Sequence, residues 1–170
     1  MFITDTYFTY IIIIHGVRIA MTTVYDVPTK EFIDEVAKQL EKQDTISLPE
    51  SNMYSKTSVA RENGPEPENW WYLRCASVLR KIYMENTIGT QHLRYAYGGK
   101  RNRGSKPYKA RTGSGSITRR AIQQLESAGY LRKIKGKGRS ITPKGRKFLD
   151  NIAYDVLQKV KKQYPGLENY

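Results

Sequence analysis

Residues 70–85 read WWYLRCASVLRKIYME, and the rest of the chain is organised around them. At 100° per residue, Trp71, Cys75, Val78, Leu79, Ile82 and Tyr83 gather on one broad helical face. Arg74, Ser77, Arg80 and Lys81 fall on the other side. A helix that is aromatic and aliphatic over most of its girth must be largely enclosed by protein. The basic strip left over looks outward, either as a plain solvated face or towards a partner. The residues downstream decide between these.

Residues 98–116 read GGKRNRGSKPYKARTGSGS and carry Lys100, Arg101, Arg103, Lys106, Lys109 and Arg111 with no acid and one aromatic, Tyr108. Six cations without counter-charge among Gly and Ser predict a long basic loop. Such a loop is either a linker or a functional segment that orders on a sugar–phosphate backbone, with Tyr108 free to stack on a base. Ser116 is expected to cap the next helix, whose stripe is Ile117, Ala121, Ile122, Leu125 and Ala128, ended by Gly129. Tyr130–Lys135 reads as a strand, Gly136-Lys137-Gly138 as a turn and Arg139–Ile141 as the return. Thr142-Pro143 then opens a last helix with Phe148, Leu149, Ile152, Ala153, Val156, Leu157 and Val160 inward. Helix, short basic hairpin, helix is the order of a winged helix, placed at residues 116–163. Arg119 and Arg120 stand on the exposed side of its recognition helix, and Lys133, Lys135, Lys137 and Arg139 stud the wing.

Upstream, residues 1–20 differ in character. Their apolar core, Phe8–Ile14, is far short of the roughly 20 residues that span a bilayer, and no basic region precedes it. These residues are read as an extension from an upstream start, or as an arm, ahead of a single domain at 21–170. From Val27 a packing helix is signalled, with Thr29 as cap, Phe32, Ile33, Val36, Ala37 and Leu40 inward and an acidic outer face. Residues 44–69, stiffened by Pro49, Pro65 and Pro67, read as an extended connection. Ile88–Tyr97 reads as a short helix capped at Thr90 and stopped by Gly98-Gly99. The fold class expected is mainly α: a helical bundle around a central amphipathic helix, with a winged-helix-like element and a small β-hairpin.

Charge is divided sharply between the two ends of the chain. Residues 1–69 hold 6 Lys and Arg against 11 Asp and Glu, a net of −5, whereas residues 70–170 hold 23 against 5, a net of +18. A compact domain at +18 repels itself unless a polyanion neutralises it, and nucleic acid is the commonest. Anionic lipid would favour a terminal lysine cluster or an amphipathic surface helix, so no membrane partner is expected. The single cysteine, Cys75, excludes an internal disulfide and a thiolate zinc site. Only His15 and His92 could serve as imidazole acid–base groups, and neither has a partner pattern. Phosphate-binding GxxxxGK[ST], GxGxxG after a strand, HExxH and nucleophile–base pairs are missing from the sequence. No enzyme, cofactor or metal is therefore expected.

Four runs together, WWYLRCASVLRKIY, YGGKRNRGSKPYKA, SGSITRRAIQQLESAGYLRK and GRSITPKGRKFLDNIA, closely resemble the archaeal and eukaryotic small-subunit ribosomal protein family S-nineteen-e, from Met21 to about Val160. The resemblance implies a winged-helix-related, mostly helical fold in the head of the small ribosomal subunit. It implies binding to the small-subunit ribosomal RNA beside neighbouring ribosomal proteins of the head, in the cytoplasm, with a role in subunit assembly and maturation. Arg74 and Arg80, the Arg119–Arg120 pair, and Lys100, Arg101 and Arg103 match the family's basic positions. The expected RNA-binding set is thus Arg74, Arg80, Lys81, Lys100, Arg101, Arg103, Lys106, Lys109, Arg111, Arg119, Arg120, Lys135, Lys137 and Arg139, on a chain that is a monomer when free. A winged-helix transcription regulator on duplex DNA is the alternative, and a protein–protein adaptor a third reading for which +18 would be gratuitous.

Overall fold

The computed structural model describes residues 22–163. Within them the chain runs α1 (Thr29–Glu41), a 3-10 turn (Glu50–Asn52), α2 (Trp70–Glu85), β1 (Thr87–Ile88) and α3 (Thr90–Ala96). It continues through β2 (Gly99–Arg103), β3 (Lys106–Arg111), α4 (Gly115–Ser127), β4 (Leu131–Ile134), β5 (Gly138–Ile141) and α5 (Pro143–Gln163). The extension expected at residues 1–20 lies outside the described residues.

α2 is the central helix that its periodicity predicts. Trp71, Cys75, Val78, Leu79 and Ile82 are fully buried, and Tyr83 nearly so. α1 covers one side of it with Phe32, Val36, Ala37 and Leu40, while α4 meets another side with Ile117, Ala121, Ile122 and Leu125. Removing each of these large side chains from water is worth about 1.5–3 kcal/mol, so this shared core carries most of the stabilisation. Three polar ties cross it and set the register between elements. Trp71 Nε1 donates to Gln124 Oε1 at 2.8 Å, and Gln124 Nε2 donates to the Ser47 carbonyl at 2.7 Å. The Tyr83 hydroxyl donates to Asp150 Oδ1 at 2.8 Å, joining α2 to α5. α2 ends at Asn86, whose φ of 60° turns the chain into β1; Asn tolerates that left-handed region better than other non-glycine residues.

β1, β5 and β4 form a three-stranded antiparallel sheet in that order, and β4–β5 is the expected wing. α4, the wing and α5 follow one another in the order expected for residues 116–163, and β1, from ahead of that segment, adds a third strand beside β5. Ile88, expected to start a helix, instead pairs with Arg139 in β1, and the helix begins at Thr90 with no side-chain cap. A two-residue strand carries no readable period. Two expected caps also move. Thr29 lies inside α1, which has no capping side chain, and Ser114, not Ser116, caps α4 by accepting from the Ile117 amide at 3.4 Å. Thr142 caps α5 as its sequence predicts, accepting from the Gly145 amide at 3.1 Å.

The largest departure is at residues 98–116. The expected basic loop is an antiparallel hairpin, β2–β3, with Gly99 opposite Arg111, Lys100 opposite Ala110, Arg101 opposite Lys109 and Arg103 opposite Lys106. Every residue of both strands is exposed, so neither face carries the apolar alternation that announces a strand. Pairing comes from backbone hydrogen bonds and from the Gly104-Ser105 turn, where Gly104 has φ 68° at the first central position. Five helices with two small antiparallel sheets make a mixed architecture, so the mainly α expectation understates the strands.

Candidate nucleic-acid interface

The hairpin is fixed at its base. The Gly113 amide donates to the Arg94 carbonyl at 2.8 Å, and the Arg94 guanidinium donates to the Gly113 carbonyl at 3.3 Å and to Thr112 Oγ1 at 3.2 Å. From the other side, Ser58 bridges to Gly113, the Ser58 hydroxyl donates to the Thr112 carbonyl at 3.3 Å, and the Ser114 amide donates to the Thr57 carbonyl at 2.9 Å. A Cβ at Gly98 would lie 2.5 Å from the Arg111 carbonyl oxygen, and one at Gly113 2.9 Å from the Tyr97 carbonyl oxygen. These glycines let the chain cross itself closely, so they act on the protein's own backbone.

Beyond that base, the register sets cation against cation. Arg101 faces Lys109, and Arg103 faces Lys106. Like charges directly opposite destabilise a ladder, and neither pair has a carboxylate partner within ion-pair distance among the described residues. Glu62 approaches the hairpin only through Asn102, at 3.5 Å.

The α2 strip is less open than its spacing predicts. Arg74, Arg80 and Lys81 are half-buried, Arg74 and Lys81 beside the Tyr97 ring. The Arg74 guanidinium lies 4.0 Å from the centroid of the Tyr97 ring, and the Lys81 ammonium 5.7 Å from it. The Tyr97 hydroxyl is 2.8 Å from Ser77 Oγ. Burial lowers the Arg74 guanidinium from its ordinary value; the Tyr97 ring opposes this and nearby Arg61 adds to it. Burial also raises the Tyr97 hydroxyl, which stays protonated. Arg80 Nε is buried with no hydrogen-bond partner. A charged donor held without an acceptor is costly, and because Nε is closed off from solvent, Arg80 can meet an outside partner only through the rest of its guanidinium.

On α4, Arg119 is exposed and Arg120 half-buried. At the wing, Lys133, Lys135 and Lys137 are exposed, but Arg139 is not free: its Nε donates to Glu126 Oε1 at 3.0 Å. Arg139 serves to fasten the wing to α4, a pairing invisible before α4 and β5 are docked. Arg94 and Arg61 were missed by the sequence reading. Arg94 sits on a short helix with no basic neighbours, and Arg61 on a connection that reads as acidic.

The rest of the molecule offers little competing chemistry. Among the described residues no group of three or more His, Cys, Asp or Glu could hold a metal, and no described helix is long and apolar enough to cross a membrane. Cys75 is fully buried, and desolvation pushes its thiol up to about 12.

Residues 23–159 match the family model described as ribosomal protein S19e. The chain is 40% identical over 152 residues to the small ribosomal subunit protein eS19 of Aeropyrum pernix, covering 88% of this chain and 99% of that protein. It is 40% identical over 154 residues to eS19 of Haloarcula marismortui, with 88% and 99% covered. It is 37% identical over 139 residues to eS19B of Schizosaccharomyces pombe, with 82% and 97% covered.

Proposed function

The chain belongs to the ribosomal protein S19e family, and on that premise we propose that it is a structural constituent of the small ribosomal subunit that binds ribosomal RNA in the subunit head and supports subunit assembly. The family is one of ribosomal structural proteins, not of enzymes. The observation that carries the RNA-binding reading is the β2–β3 register. An anchored, wholly exposed hairpin that sets Arg101 against Lys109 and Arg103 against Lys106 is stabilised when a phosphate backbone lies along it.

Binding works by shape and charge. The hairpin presents its cations in a fixed array, so little ordering entropy is lost on contact. The α2 strip supplies a second set, with Arg74 held against Tyr97 and with Arg80 and Lys81 half-buried on the same helix. Arg119 and Arg120 extend it, and Lys135 and Lys137 at the wing tip reach a further stretch of backbone. Arg139 contributes by positioning the wing through Glu126. Phosphate contacts of this kind fix orientation and carry no base sequence. The protein is a monomer when free. It meets neighbouring proteins of the head in the cytoplasmic subunit.

A regulator on duplex DNA is less well supported. Helix-turn-helix readers join their two helices by a turn of about 3–4 residues, whereas here residues 97–114 intervene between α3 and α4 and form the hairpin. Ultraviolet cross-linking in the protein's own cells, followed by sequencing of the attached nucleic acid, tests the proposal. Reads are expected to concentrate in the head region of the small-subunit ribosomal RNA. Reads spread over messenger RNA, or recovery of defined genomic DNA, would overturn it.

A further inference from the structure

The connection before α2 does more than join two helices. Residues 61–67 stand away from α2 and leave an open groove lined by Arg61, Pro65, Pro67, Trp70, Arg74 and Tyr97. Its floor is apolar, from Leu73 and the Trp70 ring, and its wall is stiffened by two prolines. Two guanidiniums converge on it. Arg74 stacks on Tyr97 from the α2 side, and Arg61, exposed on the connection, is close enough for its charge to act on Arg74. Glu66 also lines the groove, yet it forms no ion pair with either arginine. A second depression lies on the far side of the same connection. It shares Arg61, Asn63 and Gly64 and is completed by Lys100, Asn102 and Tyr108 of the hairpin. Tyr108 is 67% exposed, a free aromatic face at the hairpin end.

Two guanidiniums lining one groove, an apolar slot beside them and an aromatic platform at one end are the ingredients of a single-strand site, not of a duplex surface. We propose that the groove between residues 61–67 and α2 takes one unpaired nucleotide of the bound RNA, with its phosphate between Arg61 and Arg74 and its base against Pro65, Pro67 and Trp70. Tyr108 receives the neighbouring base across the Arg61–Gly64 turn. This rests on the RNA-binding reading above and adds to it a preference for a bulged or looped-out residue over continuous helix. The proposal commits to no particular base: beside its apolar surface and charge the groove is lined by Thr57, Asn63 and Ser77, whose hydrogen-bonding groups can meet the edge of any base.

The test uses the full chain and two RNA hairpins of the same stem, one fully paired and one with a single bulged uridine. The bulged RNA is expected to bind about tenfold more tightly, the effect of one base gaining a protein stacking surface. Arg61→Ala removes that difference. Its side chain makes no hydrogen bond within the protein, and its backbone amide bond to the Ser58 carbonyl remains, so the variant folds. A 4-thiouridine placed at the bulge is expected to cross-link to residues 61–74. Equal, strongly salt-dependent binding of both hairpins would overturn the groove and leave RNA binding standing, and it is also what a peptide occupant of the groove would give. Failure of both hairpins to bind would overturn the two proposals together. Binding of free uridine monophosphate as tight as that of the bulged RNA would mean that the groove serves free nucleotides, which likewise refutes an RNA-borne occupant.

Discussion

Lys109→Glu separates folding from binding more cleanly than any other change in this chain. Lys109 stands directly across from Arg101, both exposed, with no acid beside them. In the free protein the substitution replaces a repulsive pair with an attractive one, which stabilises the hairpin by about 0.2–1 kcal/mol, towards the lower end because the pair is solvated. On RNA it works in the opposite direction. Lys109 is lost as a phosphate partner, and the new carboxylate occupies Arg101, so two contacts go. Each contact contributes about 0.7–0.9 to the slope of log K against log salt, so the slope should fall by roughly 1.4–1.8. At about 0.1 M salt that is roughly a 25- to 60-fold loss of affinity. Fluorescence anisotropy with a fragment of the small-subunit ribosomal RNA, titrated over several salt concentrations, reads the slope, and thermal unfolding reads the stability. A variant with a lower midpoint and an unchanged salt slope would refute the reasoning, because the hairpin would then be a structural element and not a phosphate contact.

Three further expectations concern the scaffold. Gly98→Ala drives a Cβ to within 2.5 Å of the Arg111 carbonyl oxygen and should cost about 1–3 kcal/mol, whereas Gly104→Ala, at φ 68° with nothing within 4 Å, should cost about 1–2 kcal/mol of backbone strain alone; denaturant midpoints compare them, and RNA binding should suffer mainly for Gly98. Burial raises the Asp150 carboxyl above its ordinary 3.8, against the lowering effects of Tyr83 and Arg146. The native state therefore holds its proton longer than the unfolded chain, and stability from this group is present below that value and lost as pH rises through the shifted one. Asp150→Asn should accordingly become more stable relative to the parent as pH climbs out of the acid range, as unfolding across pH would show. Cys75, with its thiol pushed up to about 12, should resist iodoacetamide at neutral pH in the folded protein and react once denatured; mass spectrometry reads the adduct.

The two ends of this chain were not equally readable. α1, α2, α4 and α5 declare themselves because each buries one stripe and the 3.6-residue period survives in the sequence. The wing declares itself through two glycines between short apolar runs. β2–β3 does not, because both its faces meet water and strand pairing leaves no side-chain signature when nothing is buried. The fate of the arginines was equally hidden. Arg101 and Arg139 look alike in sequence, yet one stands opposite a lysine and the other is neutralised by Glu126. Arg61 sits among acids and prolines, and it shares a groove with Arg74 only through the tertiary placement of the connection beside α2.

Composition and periodicity determined by themselves that this chain has a helical core around residues 70–85 and a strongly basic C-terminal part, and its motifs carry a family likeness over most of its length. Tertiary structure decided which cations are paired within the protein, that the basic segment is a hydrogen-bonded hairpin, and where a groove opens beside α2. The physical reason is that burial writes a local, periodic pattern into a sequence, whereas charge pairing, strand register and concavity depend on residues brought together from distant parts of the chain.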